Sequence, residues 1–224
     1  MLQPPPKNIT HRRQNNMAKV LFVKSNDRPS DVAISNQMYH QFLTGYQAAN
    51  PNDTITELDL FEKNLPYFGN DMLSGLYKES QGIDATDREK VAADTANYYM
   101  NQFLDSDKIV FAFPLWNFTV PAPLINYVSY LSQVGKTFKY TAEGVVGLVG
   151  DKKVVLLTAR GGDYSSEAMQ AIEMALNYMK AILRFWGINQ PEVVVIEGHA
   201  QYQDRAKDII ENGLKKTAAA AATF

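Results

Sequence analysis

The chain of 224 residues contains no cysteine. Disulfides, thiolate nucleophiles and thiolate-held metals are therefore outside its chemistry, and any redox reaction it performs has to be carried by a bound cofactor. It has no strong charge of either sign: 22 Lys and Arg against 24 Asp and Glu leave a formal net charge of -2. Such a balance offers no electrostatic footprint for nucleic acid or an anionic membrane. No run approaches the roughly 18 uninterrupted apolar residues of a membrane span. No Gly-x-Gly occurs, so the dinucleotide fingerprint is missing, and a Gly-x-x-x-x-Gly-Lys phosphate loop and a Gly-x-Ser-x-Gly elbow are missing too. The three histidines are scattered. His11 lies in the leading segment, His40 on a helix and His199 after the last strand, in what reads as a polar surface loop. None makes a metal-ligand pair.

What is present is a core. Hydrophobic residues make up 46% of the chain, enough for a real core in one large domain. Residues 1–16 carry Pro4-Pro5-Pro6 and Arg12-Arg13 without the apolar stretch of a secretory signal. They read as a disordered extension ahead of a domain over residues 17–224, with Met17 an alternative start.

Apolar, β-branched segments at Ala18–Lys24, Thr54–Leu60, Ile109–Phe113, Lys153–Thr158 and Glu192–Glu197 predict five strands. Helical spacing predicts helices over residues 31–50, 86–105, 121–134, 165–186 and 204–219, with Thr86 and Glu89 forming a capping box. The segment 61–85 has weak periodicity, and 135–150 reads as a hairpin-like excursion. The run Ala218–Ala222 reads as a frayed helix end. Strands alternating with helices predict a parallel, doubly wound sheet of flavodoxin-like order 2-1-3-4-5.

In such a sheet the loops after strands 1, 3 and 4 converge where open α/β sheets bind ligands. After strand 1, Ser25, Asn26, Arg28, Ser30 and Ser35 lead into a helix start, either an ordinary capped loop or an anion cradle. After strand 3 comes Pro114-Leu115-Trp116-Asn117-Phe118, whose aromatics either enter the core or flank a flat ligand; an amide between two aromatics suits hydrogen bonding to its edge. After strand 4, Ala159-Arg160-Gly161-Gly162 is either a plain left-handed turn or a place where backbone approaches a ligand closely.

With Lys19-Val20-Leu21-Phe22-Val23-Lys24, the Pro114–Phe118 stretch, Gly135-Lys136-Thr137-Phe138-Lys139-Tyr140-Thr141, Gly144, Gly147-Leu148 and Thr158–Gly162 in place, the chain resembles the FMN-dependent NADH:azoreductase/NADH:quinone oxidoreductase family. The likeness runs from Met17 to near the C-terminus and is nearest to the Gram-positive branch. It implies a cytoplasmic homodimer with noncovalent FMN. Ala33, Ile34 and Ser35 would hold the phosphate, assisted by Asn26. Pro114, Leu115, Trp116, Asn117 and Phe118 would line the isoalloxazine ring, and Ala159, Arg160, Gly161 and Gly162 its pyrimidine end. Phe138 and Tyr140 would stand near a substrate pocket at the subunit junction, with the 61–85 segment.

The resemblance further implies a ping-pong reaction in which NADH, or NADPH, reduces FMN at N5 and a quinone or azo compound is then reduced by two electrons. No protein residue is catalytic and no metal takes part. Arg160 or nearby backbone dipoles would oppose charge on the reduced ring. Two departures stand out: Ala159 where many relatives carry serine, and Ala33-Ile34-Ser35 where some carry Ser-Gln-Ser. The alternative is a flavodoxin-type electron carrier, against which the extra 61–85 and 135–150 segments speak. A phospho-receiver is disfavoured because strand 3 ends Phe113-Pro114 rather than on an aspartate.

Overall fold

A computed structural model describes residues 17–224; the expected extension over residues 1–16 lies outside the described residues. Five parallel strands form the sheet: β1 (Lys19–Lys24), β2 (Thr54–Asp59), β3 (Lys108–Pro114), β6 (Lys153–Arg160) and β7 (Glu192–Glu197), in the order β2-β1-β3-β6-β7. A separate antiparallel hairpin, β4 (Phe138–Thr141) with β5 (Gly144–Gly147), occupies the expected excursion.

The sheet is buried on both faces, so the interiors of its central strands run nearly continuously apolar. Alternate side chains feed two cores. Leu21, Val23, Ile109, Phe111, Phe113, Val154 and Leu156 pack into one, beneath α3 (Asp87–Leu104), α4 (Ala122–Leu131) and α6 (Met174–Phe185). Val20, Phe22, Val110, Ala112, Val155, Leu157 and Ala159 pack into the other, beneath α1 (Ile34–Ala49) and α7 (Ala206–Thr223). The fold class is as expected, and α3 begins with the expected capping box at Thr86 and Glu89.

Four local expectations are corrected. The weakly periodic 61–85 stretch holds a helix, α2 (Asn70–Gln81). Its signal is obscured by Gly75, which is required because a Cβ there would collide with the Glu89 carbonyl of α3. The helix ends at Gly82, in the left-handed conformation at φ 65. The single helix expected over 165–186 is two, α5 (Glu167–Ile172) and α6, because Glu173 leaves helical conformation and its carboxylate caps the Leu176 N–H at 3.0 Å. Helix α1 starts at Ile34, not Asp31.

The alanine-rich tail is not frayed. Ala220, Ala221 and Phe224 are buried in the second core. Small residues let α7 approach α1, where a Cβ at Gly45 would stand 3.1 Å from that of Ala221, and the Phe224 ring meets Phe42 edge-on at 5.6 Å. Among the described residues, no helix is long and apolar enough to cross a membrane.

Candidate functional site

Three strand ends meet in one cleft of about 230 Å³, lined by Asn26, Arg28, Ala33, Ile34, Ser35, Pro114, Leu115, Trp116, Ala159, Arg160, Gly161, His199 and Ala200. It lies at the carboxyl edge of the sheet, at the switch point between β1 and β3. Larger clefts exist, of about 540 Å³ around Asp53 and Lys108 and about 640 Å³ between Tyr164 and Lys180. The first sits at the amino ends of the strands, away from the edge where such sheets bind ligands. The second is a polar groove against α5 and α6.

The loop after β1 is held in shape by its own amides. Asn26 donates to Ser35 Oγ at 2.9 Å and accepts from the Arg28 N–H at 3.0 Å, while Asn36 donates to the Arg28 carbonyl at 2.6 Å. These bonds leave the start of α1 without a side-chain cap or an acidic residue in its first turn. Among the described residues, the N–H groups of Ile34 and Ser35 meet no protein acceptor. Two free donors at the positive end of a helix form an anion site. On the same loop, Ser25 Oγ is buried without a partner among the described residues.

After β3 the chain makes a tight turn. Trp116 N–H donates to the Thr119 carbonyl at 2.9 Å, and Thr119 N–H returns to Trp116 at 3.0 Å. Between them Asn117 and Phe118 both take positive φ, 48 and 67. Asn tolerates this conformation and Phe does not readily, so the bend is strained at Phe118. Both side chains are exposed and neither lines the cleft, whereas Pro114, Leu115 and Trp116 do. The turn is anchored from outside: the Phe118 carbonyl accepts the Met174 N–H at the start of α6, at 2.7 Å. Trp116 is steadied edge-on by Phe61 at 6.0 Å.

After β6, Gly161 and Gly162 do not use positive φ, which excludes the plain left-handed turn among the two readings of this loop. Close approach is what requires glycine: a Cβ on Gly161 would stand 2.9 Å from that of Ala200. Among the described residues, the N–H groups of Gly161 and Gly162 meet no protein acceptor. Thr158, one residue before Ala159, buries its Oγ1 without a partner. The Arg160 guanidinium is not free; it pairs with Glu197 at 2.9 Å and Glu173 at 3.5 Å. Of the two groups considered for opposing charge on a ligand, the backbone N–H groups are therefore the available ones.

Phe138 does not line the cleft. It is buried in the first core, its ring 4.4 Å from that of Phe185. The side chain faces inward because the hairpin packs on the end of α6 through β5, where Gly147 lies against Trp186 and Gly187. Tyr140, two residues on, is 68% exposed on the hairpin and lines no part of the cleft. Gly162 lies just outside the cleft lining. Sequence reasoning missed His199 and Ala200, both in the cleft wall. His199 is half-buried with its Nδ1 lacking a partner, and burial lowers its pKa. Its place directly beyond a strand's carboxyl end was the available signal.

The chain matches the flavodoxin-like fold family over residues 18–220. It is 62% identical over 208 residues to "FMN-dependent NADH:quinone oxidoreductase 2" of Bacillus cereus, covering 93% of this chain and 100% of the relative. The crystal structure of an azoreductase from Bacillus anthracis str. Sterne superposes with a TM-score of 0.91 at 51% identity, covering 93% of this chain and 100% of the other. An FMN-dependent NADH-azoreductase of Bacillus anthracis str. Ames Ancestor, crystallised in complex with FMN, superposes with a TM-score of 0.84 at 26% identity, covering 92% and 99%. The chain belongs to the flavodoxin-like fold family and, within it, to the group that includes the FMN-dependent NADH:quinone oxidoreductases.

Proposed function

We propose that this protein is an FMN-dependent oxidoreductase that takes electrons from NADH, with NADPH as the alternative donor. It passes them two at a time to quinones and to aromatic azo compounds. One observation carries the reading: unpaired backbone donors from two loops and an aromatic wall from a third line or border one cleft at the carboxyl edge of the sheet. The 62% identity to a quinone oxidoreductase supports it.

The residues fit the cofactor. Ile34 and Ser35 N–H groups, with the Ser35 hydroxyl, bind the phosphate, and Arg28 at the cleft lining adds positive charge. The departure from serine at Ala33 costs a hydroxyl but leaves these N–H donors in place. Leu115 and Trp116 would form the wall for the ring, the Gly161 and Gly162 N–H groups would donate to its polar edge, and Asn117 on the adjoining turn is the amide that would reach it from outside the cleft lining. FMN, when bound, supplies the hydride chemistry. The protein orients the ring, excludes water behind Pro114 and Leu115, and opposes negative charge with fixed N–H dipoles that need no reorganisation. Both substrates use one seat in turn, so no protein nucleophile is needed.

The working unit under this reading is a homodimer in the cytoplasm, where reduced nicotinamide is available. The exposed Phe118, Tyr140, Val145 and Val146 supply apolar surface for a second copy, which would complete the substrate pocket. Residues 17–224 form the functional domain.

Purified protein is expected to be yellow, to release flavin on denaturation, and to oxidise NADH continuously with an added quinone and no partner reductase. Colourless protein that takes up no added FMN overturns the reading. Flavin binding without unaided NADH oxidation leaves an electron carrier instead.

A further inference from the structure

The segment from Glu197 to Tyr202 engages the carbonyls of Arg160, Gly161 and Gly162. Gly198 N–H is shared between the carbonyls of Arg160 at 3.2 Å and Gly162 at 3.1 Å. Ala200 and Gln201 N–H groups both reach the Gly161 carbonyl, at 3.0 and 3.1 Å. A trans peptide is planar, with its C=O and N–H on opposite sides. The Arg160 carbonyl shares its peptide with the Gly161 N–H, and the Gly161 carbonyl shares its peptide with the Gly162 N–H. Drawing those two carbonyls onto the 197–202 segment therefore turns both N–H groups away from it. These are the donors that meet no protein acceptor.

Side chains hold the same two loops together. Asp163 N–H donates to Gln201 Oε1 at 2.8 Å, and Tyr202 OH donates to Asp163 Oδ2 at 2.9 Å. The Tyr164 N–H donates to Glu197 Oε2 at 3.1 Å. Gly198, at φ 81, has no room for a side chain, since a Cβ there would stand 3.0 Å from the Tyr202 ring.

We propose that Gln201 and Tyr202 are positioning residues for the flavin: through Asp163 they clamp the glycine loop so that Gly161 and Gly162 N–H groups are fixed toward the ring. The inference rests on the FMN reading above and adds to it the element that sets the donor geometry. Neither residue lines the cleft; they act through the backbone of the loop. Fixed N–H dipoles stabilise an electron-rich ring more than an electron-poor one. Loosening them therefore lowers the flavin's reduction potential as well as its affinity.

The test compares the parent with Tyr202→Phe, Gln201→Ala and the double variant, using titration with FMN and with riboflavin, dye-equilibrated flavin potentials and melting of the apoprotein. Loss of two hydrogen bonds is expected to weaken binding of both flavins by about tenfold in the double variant. The flavin potential shifts to more negative values, and the apoprotein melting temperature stays close to the parent's. Riboflavin locates the effect, because it lacks the phosphate held by α1. Unchanged affinity and potential in the double variant overturn the proposal. So does a loss seen with FMN alone, or an apoprotein that melts lower in proportion to the flavin it loses, which makes the segment packing only. A parent protein that binds neither flavin instead overturns the oxidoreductase reading itself.

Discussion

Arg160 and Glu197 join the carboxyl ends of neighbouring strands: Nε of the guanidinium donates to Glu197 Oε2 at 2.9 Å, and Nη2 forms an ion pair with the same oxygen at 2.9 Å. Glu173, almost fully buried where α5 breaks into α6, stands 3.5 Å from the same guanidinium. One cation thus serves two acids on different elements, and the loop between β6 and α5 is anchored beneath its glycines. Removing the cation leaves the buried Glu173 carboxylate with the Leu176 N–H as its remaining partner, which costs about 2 kcal/mol, less than the roughly 3–5 kcal/mol of a buried charge left with none. Arg160→Ala is expected to lower unfolding free energy by that order in urea titrations. A loss below about 1 kcal/mol would show the network to be screened like a surface pair.

The turn at Asn117 and Phe118 separates two roles that a single alanine substitution would mix. Asn117→Gly keeps the positive φ and removes only the amide, whereas Asn117→Ala also strains the turn, by roughly 1 kcal/mol. If the amide reaches the flavin, both variants weaken FMN retention, measured by equilibrium dialysis. Retention that survives in the glycine variant and falls in the alanine variant would assign Asn117 to the bend alone.

Phe118→Gly is expected to stabilise the protein by about 1 kcal/mol, by relieving a left-handed backbone at a bulky residue. It should also raise the KM for hydrophobic quinones, through loss of an exposed ring beside the cleft. Thermal melting and steady-state kinetics test the two effects. A drop in stability would mean that the ring packs against a second subunit.

The C-terminus is part of the core. The Phe224 ring meets Phe42 and Tyr46, with centroids at 5.6 and 6.0 Å, and Lys108 Nζ lies 5.6 Å from its centroid. Phe224→Ala is expected to cost about 3 kcal/mol, at the lower end for a buried aromatic, read as a lower midpoint in chemical denaturation. A change within about 0.5 kcal/mol would return the tail to the status of a frayed end.

Acid stability should carry the signature of Glu89. Hydrogen bonds from Lys78 Nζ, then from the Thr86 N–H, hold its pKa at about 2 against an ordinary 4.5. The unfolded chain takes up this proton at the higher pH, so the stabilisation is complete above pH 4.5 and is lost as pH falls toward 2. Glu89→Gln should flatten melting temperature against pH in that window while lowering it at neutral pH. An unaltered acid limb would contradict the assignment.

The sheet order, the positions of its five strands and the three loops at its edge were legible in the sequence, because each depends on local pattern. Buried parallel strands need continuous apolar runs, and connections between them are right-handed. The capping box of α3 was legible for the same reason, since Thr86 and Glu89 are three residues apart. What tertiary structure alone decided involves partners distant in the chain. Helix α2 exists because Gly75 fits against Glu89, a glycine that by itself reads as a breaker. The alanine tail is ordered because Gly45 leaves room for Ala221. Phe138 turned inward because its ring packs against Phe185 of α6, and Arg160 was lost as a free charge to Glu197, 37 residues away. Gly161 and Gly162 N–H groups are free because loop 197–202 engages their neighbouring carbonyls. Local periodicity records which face of an element is apolar. It carries no record of which distant carbonyl or carboxylate will claim a particular N–H, and that choice settled which groups remain for a ligand.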